Sequence, residues 1–235
     1  MSRRFDAVLF DAGGVLVVPD PVAIATALAS FATFSVAEGI RAHYAGMRAL
    51  EVTALAANHQ PGTIERLDWV DYRRGYCVQV GVSRQQLDEA VAAMHDVFSP
   101  YLWRHRMEPA VVALWQLHRN KVPIGVVSNA SGQIEAMLRH EGVCQVGPGG
   151  GVPVRCVIDS RVVGVSKPDP AIFAPAIEAL GVAPERIAYV GDSVINDVGG
   201  AVRAGMQPLH LDPYDDHPDA THERIASLSE LLSWV

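Results

Sequence analysis

Lysine is nearly missing from this sequence: Lys121 and Lys167 stand against 17 arginines among 235 residues. None lies between Met1 and Asn120, which excludes Schiff-base chemistry from the first half of the chain. Positive charge is in deficit overall, with a formal net charge of −7. That balance excludes non-specific binding to nucleic acid or to an anionic membrane, and any anionic substrate would need a local cationic pocket. Cysteine is sparse too. Cys77, Cys144 and Cys156 are odd in number and far apart, the pattern of reduced thiols in a cytoplasmic protein. His140, Cys144 and Cys156 lack a fourth partner and do not read as a zinc site. The longest uncharged stretch, Pro21 to Ala37, is shorter than the ~20 residues of a membrane span and contains Thr26, Ser30, Thr33 and Ser35. Asp6 and Asp11 interrupt the apolar start, so it is a poor signal peptide. There are no internal repeats and no GxSxG turn. The GPGGG of residues 147–151 has neither the GKS or GKT ending nor the preceding strand of a phosphate loop.

What is present is a chain with 49% apolar and 19% charged residues, able to bury one large core or a core plus a smaller second domain. Phe5 to Phe10 reads as a buried strand ending at Asp11, with Gly13-Gly14 as a turn. From Pro19 to about Arg106 the pattern is alanine-rich and helical. Helices are expected over Pro21–Phe34, Val36–Ala57, Ile64–Val80 and Ser83–Phe98, the last after a Gly81-Val82 break with Ser83 as N-cap. Alternation then resumes: helix Pro109–Asn120, strand Val122–Val127, helix Ser131–His140, strand Val154–Ile158 and helix Asp169–Leu180, led by Pro170. Strand Arg186–Val190, helix Val194–Ala204, strand Gln207–Leu211 and a closing helix His222–Trp234 complete it. Strands alternating with helices give an α/β fold with a doubly wound, mostly parallel sheet. The helical block reads as an insertion, giving a core of residues 1–18 and 107–235 and a cap of residues 19–106.

Ligands of an open parallel sheet bind at the carboxyl ends of its strands. Four polar clusters fall at or beside such ends: Asp11, Ser128-Asn129, Lys167 in a loop before a helix, and Asp192-Ser193 with Asn196-Asp197. Taken singly, each is also an ordinary helix cap or turn. In this order, the segments FDAGGVL (Phe10–Leu16), VVSNAS (Val126–Ser131), SKPDPAIF (Ser166–Phe173) and VGDSVIND (Val190–Asp197) resemble the haloacid dehalogenase-like hydrolase superfamily, over a span from Phe5 to about Leu211.

The resemblance implies a Rossmann-like core, an inserted all-helical cap and a Mg2+-dependent phosphatase site for a small phosphorylated substrate. Asp11 would attack phosphorus and form an aspartyl-phosphate, splitting one hard displacement into two easier ones. Mg2+ would be bound by Asp11, the Gly13 carbonyl and Asp192. Lys167 would neutralise charge on the transferred group. Ser128, Asn129 and nearby backbone N–H groups would hold phosphate oxygens, and Asn196 and Asp197 would orient Lys167 or a metal-bound water.

Position 13 departs from the family's commonest phosphatase pattern, which has a second aspartate there to protonate the leaving group and activate water. Glycine has no side chain to do either. The loss leaves two alternatives: a catalytically silent member that binds a phosphorylated ligand or a partner, and a metal-independent 2-haloacid dehalogenase. The dehalogenases share the missing aspartate but lack the carboxylate at Asp192. A sugar phosphomutase needs the missing aspartate, and a phosphonoacetaldehyde-type hydrolase needs a cap lysine that this chain does not have. Cap residues choose the substrate. Arg41, Arg48, Arg73 and Arg74 are candidates for a second anionic group, and His43, His59, His95 and His105 for a histidine facing the site. Oligomeric state is not legible.

Overall fold

A computed structural model describes residues 3–56 and 69–235. The chain divides into two compact units, residues 1–17 with 106–235, and residues 18–105. In the larger unit, six strands form one sheet: Ala7–Phe10 (β1), Ile124–Ser128 (β2), Val157–Asp159 (β3), Ile187–Gly191 (β4), Gln207–Leu211 (β5) and Arg224–Ile225 (β6). Their order is β3-β2-β1-β4-β5-β6, and every neighbouring pair is parallel. This is a doubly wound sheet whose strand order reverses at β1, where Phe10 pairs with Val126 on one side and Val190 on the other.

The three central strands are buried on both faces, which is why they read as continuous apolar runs instead of alternating ones. One face of the sheet packs Leu9, Val127 and Tyr189 against Ile172, Phe173 and Ala176. At the opposite end from the polar clusters, Lys121 takes a left-handed turn (φ 59°) just before β2 and is exposed.

Several expected elements differ in the structure. The segment Val154–Ile158 is two strands, because the chain changes partner within it. Val152–Val154 pairs with Cys144–Val146, and β3 then joins β2. The helix expected over Asp169–Leu180 opens as a 3-10 turn, Pro170–Phe173, before the α-helix Ala174–Leu180. Pro170 and Pro175 supply no N–H to a longer ladder. Residues 194–204 form a π turn, Val194–Val198, ahead of a short α-helix, Gly199–Arg203. The closing helix is a correction of type. Strand β5, otherwise open on that side, captures the backbone of Glu223 and Ile225, with His210 N–H on Glu223 O at 3.0 Å and Asp212 N–H on Ile225 O at 2.9 Å. Residues 224–225 are therefore a strand, and only Leu228–Ser233 winds, as a 3-10 helix behind a Ser227/Glu230 capping box.

The smaller unit holds the helices Pro21–Ala27, Val36–Ala56, Val70–Gln79 and Leu87–Val97. The helix expected to run on to Phe34 ends at Ala27, since Leu28 occupies its C-cap. Ser35 and Glu38 bond reciprocally and start the next helix. Ser83 stands at the expected N-cap, but its hydroxyl donates to Gln86 Oε1 at 2.8 Å and makes no cap bond. Ala57, His59 and the start of the helix expected from Ile64 lie outside the described residues. No described helix is long and apolar enough to cross a membrane.

Candidate active site

Asp11 is the first residue past β1, and its N–H is still held by Val190 O at 2.8 Å. Its Oδ1 accepts from the Ala12 N–H at 2.7 Å and lies 2.9 Å from Lys167 Nζ. Lys167 is only 1% exposed. Its ammonium also donates to Asp197 Oδ1 at 2.7 Å and to Tyr189 Oη at 3.1 Å, so all three of its protons have acceptors. Asp197 is itself tied at its other oxygen, which accepts from the Ser193 N–H at 3.0 Å. Asp11, Asp192 and Asp197 are all buried, and each offers an oxygen within 4.8 Å of the others'.

Two glycines make this convergence possible. Gly14 adopts a left-handed φ of 72°, and a Cβ there would sit 1.9 Å from Asp192 Oδ2. A Cβ on Gly191 would sit 2.1 Å from Asp197 Cγ. Side chains at either position would collide with the carboxylates (and Gly14 could not hold its φ without strain).

Burial drives the electrostatics. It pushes the Asp11 carboxyl up, to about 7, against the pull of the Lys167 ammonium, and Asp197 and Asp192 add to the rise. For Lys167, burial works against the charged form, but Asp11 and Asp197 outweigh it, and its pKa is raised. The Tyr189 phenol is pushed well above its ordinary value, first by burial and then by the same carboxylates. The lysine is thus held charged and the phenol neutral.

The remaining expected site residues are placed as follows. Ser128 is buried at the carboxyl end of β2. Asn129 does not present its amide to a ligand: Oδ1 accepts from Lys167 N–H at 2.8 Å, and Nδ2 donates to Lys167 O at 3.0 Å. Its side chain clamps the backbone that carries the lysine. Asn196 is separated from the lysine in role: Asp197 alone of the pair bonds Lys167 Nζ, while Asn196 Oδ1 is buried and unpartnered among the described residues. Gly13 forms a backbone bridge with Val17. Of the cap candidates within the described residues, His43 and Arg73 are buried among aromatics, with His43 Nδ1 2.9 Å from Tyr72 Oη and the Arg73 guanidinium 5.7 Å from the Phe98 ring centre. Arg74 pairs with Asp88 at the surface, at 2.9 Å.

Sequence reasoning missed Tyr189 and His210. Each is a polar tip inside a strand with no polar neighbour, and such a residue must find a partner when buried. Tyr189 Oη donates to Val127 O at 3.0 Å. His210 Nε2 lies 3.2 Å from the Asp192 carbonyl oxygen, and its Nδ1 lies 3.0 Å from His222 Nε2. A carbonyl only accepts, so neutral His210 carries its proton on Nε2 and takes one from His222 on the other side. His210, Asp212 and His217 form a second group whose ligand atoms lie within 4.8 Å of one another. Asp212, however, already accepts from Arg224 at 2.7 Å and from the N–H groups of Asp216 and His217, which makes it the organiser of its own loop.

The sequence model of the haloacid dehalogenase-like hydrolases matches residues 5–205. The chain belongs to this family. Over 132 residues the hydrolase is 36% identical to a glyceraldehyde 3-phosphate phosphatase of Methanopyrus kandleri, a match covering 52% of this chain and 49% of that one. Over 81 residues it is 42% identical to a phosphoserine phosphatase of Thermus thermophilus, covering 32% of each. The hydrolase therefore spans about half the length of the first and a third of the second. A haloacid dehalogenase-family phosphatase from Thermococcus onnurineus superposes with a TM-score of 0.58 at 20% identity, covering 97% of this chain and 96% of that one, which establishes the fold.

Proposed function

We propose that this chain is a Mg2+-dependent phosphatase that hydrolyses a small phosphorylated metabolite through an aspartyl-phosphate on Asp11. The observation that carries the reading is the buried arrangement in which Asp11 and Asp197 share one lysine and Asp192 lies within reach of both. The phosphatase names of relatives that match part of the chain support it. The three thiols are free and buried, in keeping with a reducing, cytoplasmic setting.

Three buried carboxylates face one ammonium, so the site has an excess of negative charge and an all-oxygen donor set, which fits a hard divalent cation. Asp11, the Gly13 carbonyl and Asp192 would hold it. When bound, Mg2+ offsets the repulsion between the Asp11 carboxylate and the phosphate and orients the two. Asp11 attacks phosphorus, and the P–O bond to the leaving group breaks. Lys167, its position set by Asn129 and Asp197, neutralises charge on the transferred group. Ser128 and adjacent backbone N–H groups bind the phosphate oxygens. Water then attacks phosphorus and returns the electron pair to Asp11.

Gly13 also favours a second reading, a metal-independent 2-haloacid dehalogenase, while the carboxylate of Asp192 opposes it. Both are tested by screening phosphorylated metabolites with Mg2+ and with EDTA, for the native protein and for Asp11→Asn. Phosphate release is expected only with Mg2+ and Asp11 together. Turnover that survives EDTA or Asp11→Asn would refute the mechanism, metal-independent halide release from a 2-haloacid would replace it with the dehalogenase, and ligand binding without turnover would mark a silent member.

A further inference from the structure

Both halves of the proposed reaction need a proton moved, and Gly13 offers no side chain to move it. Among the described residues of the larger unit, the proton-bearing groups around Asp11 have other work. Lys167 Nζ is engaged by Asp11, Asp197 and Tyr189. The Tyr189 hydroxyl donates to Val127 O and is held neutral by its burial among carboxylates. His210 Nε2 points at the Asp192 backbone carbonyl. Ser193 Oγ accepts from the Asn196 N–H at 3.2 Å, and its own proton is that of an alcohol, as at Ser128. Ser128, at the end of β2, has an alcohol, too weak an acid to protonate a departing alkoxide.

We infer that the hydrolase acts on phosphates whose leaving group departs readily as an anion, namely aryl, acyl and anomeric phosphates, and that its aspartyl-phosphate turns over slowly. The inference rests on the aspartyl-phosphate reading above. In the first step Asp11 Oδ bonds to phosphorus, and the phosphorus–oxygen bond to the leaving group breaks. The electron pair stays on that oxygen, which takes a proton from solvent only after departure. A phenolate, a carboxylate or a sugar hemiacetal anion tolerates this charge, and a simple alkoxide does not. In the second step water attacks phosphorus, the bond to Asp11 breaks with its electron pair returning to the carboxylate, and the water's protons pass to solvent unaided. A step without a base is slow, so phosphoenzyme accumulates whenever the first step is fast.

General acid–base help is typically worth 10²–10⁴-fold. Its absence among the described residues of the larger unit predicts that kcat/KM for an aryl phosphate exceeds that for a simple alkyl phosphate of similar size by about 10²-fold or more. This ratio reports the first step alone. With p-nitrophenyl phosphate, rapid mixing should show a burst approaching one phenolate per enzyme before the steady rate. Gly13→Asp, which returns a carboxyl to the position, should raise alkyl turnover by about 10-fold or more, with a smaller gain for aryl phosphate and a smaller burst. Alkyl and aryl phosphates turned over within about 10-fold of each other by the native protein would overturn the inference and leave the phosphatase reading intact, since a group other than those named above would then be supplying the proton. Linear phenolate release from the first turnover would overturn the claim for the water step. No turnover of any phosphate would instead remove the phosphatase reading on which both depend. The comparison within the native protein decides the matter even if Gly13→Asp does not fold.

Discussion

Lys167 carries more of this site than any other single residue. It is nearly inaccessible, yet its ammonium serves Asp11, Asp197 and Tyr189 at once. Removing one partner of a buried ion pair leaves uncompensated charge, at a cost of about 3–5 kcal/mol. Lys167→Met keeps most of the volume and deletes the charge. It is expected to lower unfolding stability by that amount in urea titrations at neutral pH with EDTA present, and to abolish phosphate release. A variant as stable as the native protein would mean that the neighbouring carboxylates are held neutral and that the lysine does not compensate them. The residue was legible in the sequence because lysine is so rare and because its five-residue setting is specific. Its neighbours were less so. Asn129 stands next to Ser128 at a strand end, where an amide reads as a phosphate ligand; that it clamps the Lys167 backbone follows from how two loops meet, which no local pattern encodes. Tyr189 looked like one more apolar position of IAYVG.

At the level of elements, the turn after β1 matters most. Its two glycines have different tasks. Gly13 sits where a proton donor would be expected, whereas Gly14 makes room for Asp192 and takes the left-handed φ. An L-residue in that conformation costs roughly 1–2 kcal/mol, and here the added methyl would also meet the carboxylate. Gly14→Ala is expected to lose at least that much stability and to bind Mn2+, as a paramagnetic stand-in for Mg2+, at least about tenfold more weakly by electron paramagnetic resonance. Unchanged Mn2+ affinity would show that Asp192 is not held where the turn places it. The strands buried on both faces were readable as apolar runs, and so was the parallel sheet. Element ends were harder. His222–Trp234 has apolar residues at helical spacing, but the open edge of β5 claims Arg224 and Ile225 first. Pro170 and Pro175 shorten one other helix, and the π turn Val194–Val198 takes the first residues of a second, in ways that apolar spacing does not reveal.

Across the whole molecule, the buried carboxylates link folding to pH and, on the proposed reading, to a cation. Asp11 has its carboxyl raised from an ordinary value near 4 to about 7. Between those values the folded chain holds one more proton than the unfolded chain, so this group's contribution to stability falls as pH rises through the window. On the proposed reading a cation held by Asp11 needs the carboxylate, so its binding follows the opposite trend. At a Mg2+ concentration about 100-fold above its dissociation constant the stabilisation is ~2.7 kcal/mol. It is expected in full in thermal melts at about pH 8 and to shrink markedly at about pH 5. An equal Mg2+ shift at both would place the cation away from Asp11.

The scarcity of lysine has a use at the bench. Of the two side-chain amines, Lys167 is sealed at the site, and Lys121 is exposed on the turn leading into β2, at the end of the strand remote from Ser128. With the α-amine blocked, an amine-reactive resin or dye therefore finds one lysine, which stands at the opposite end of β2 from the carboxyl ends of the strands. Molecules tethered through it would share a single orientation with the carboxyl ends of β1, β2 and β4 turned toward the bulk solution, and a fluorophore placed there would report on tumbling from the far end of the sheet.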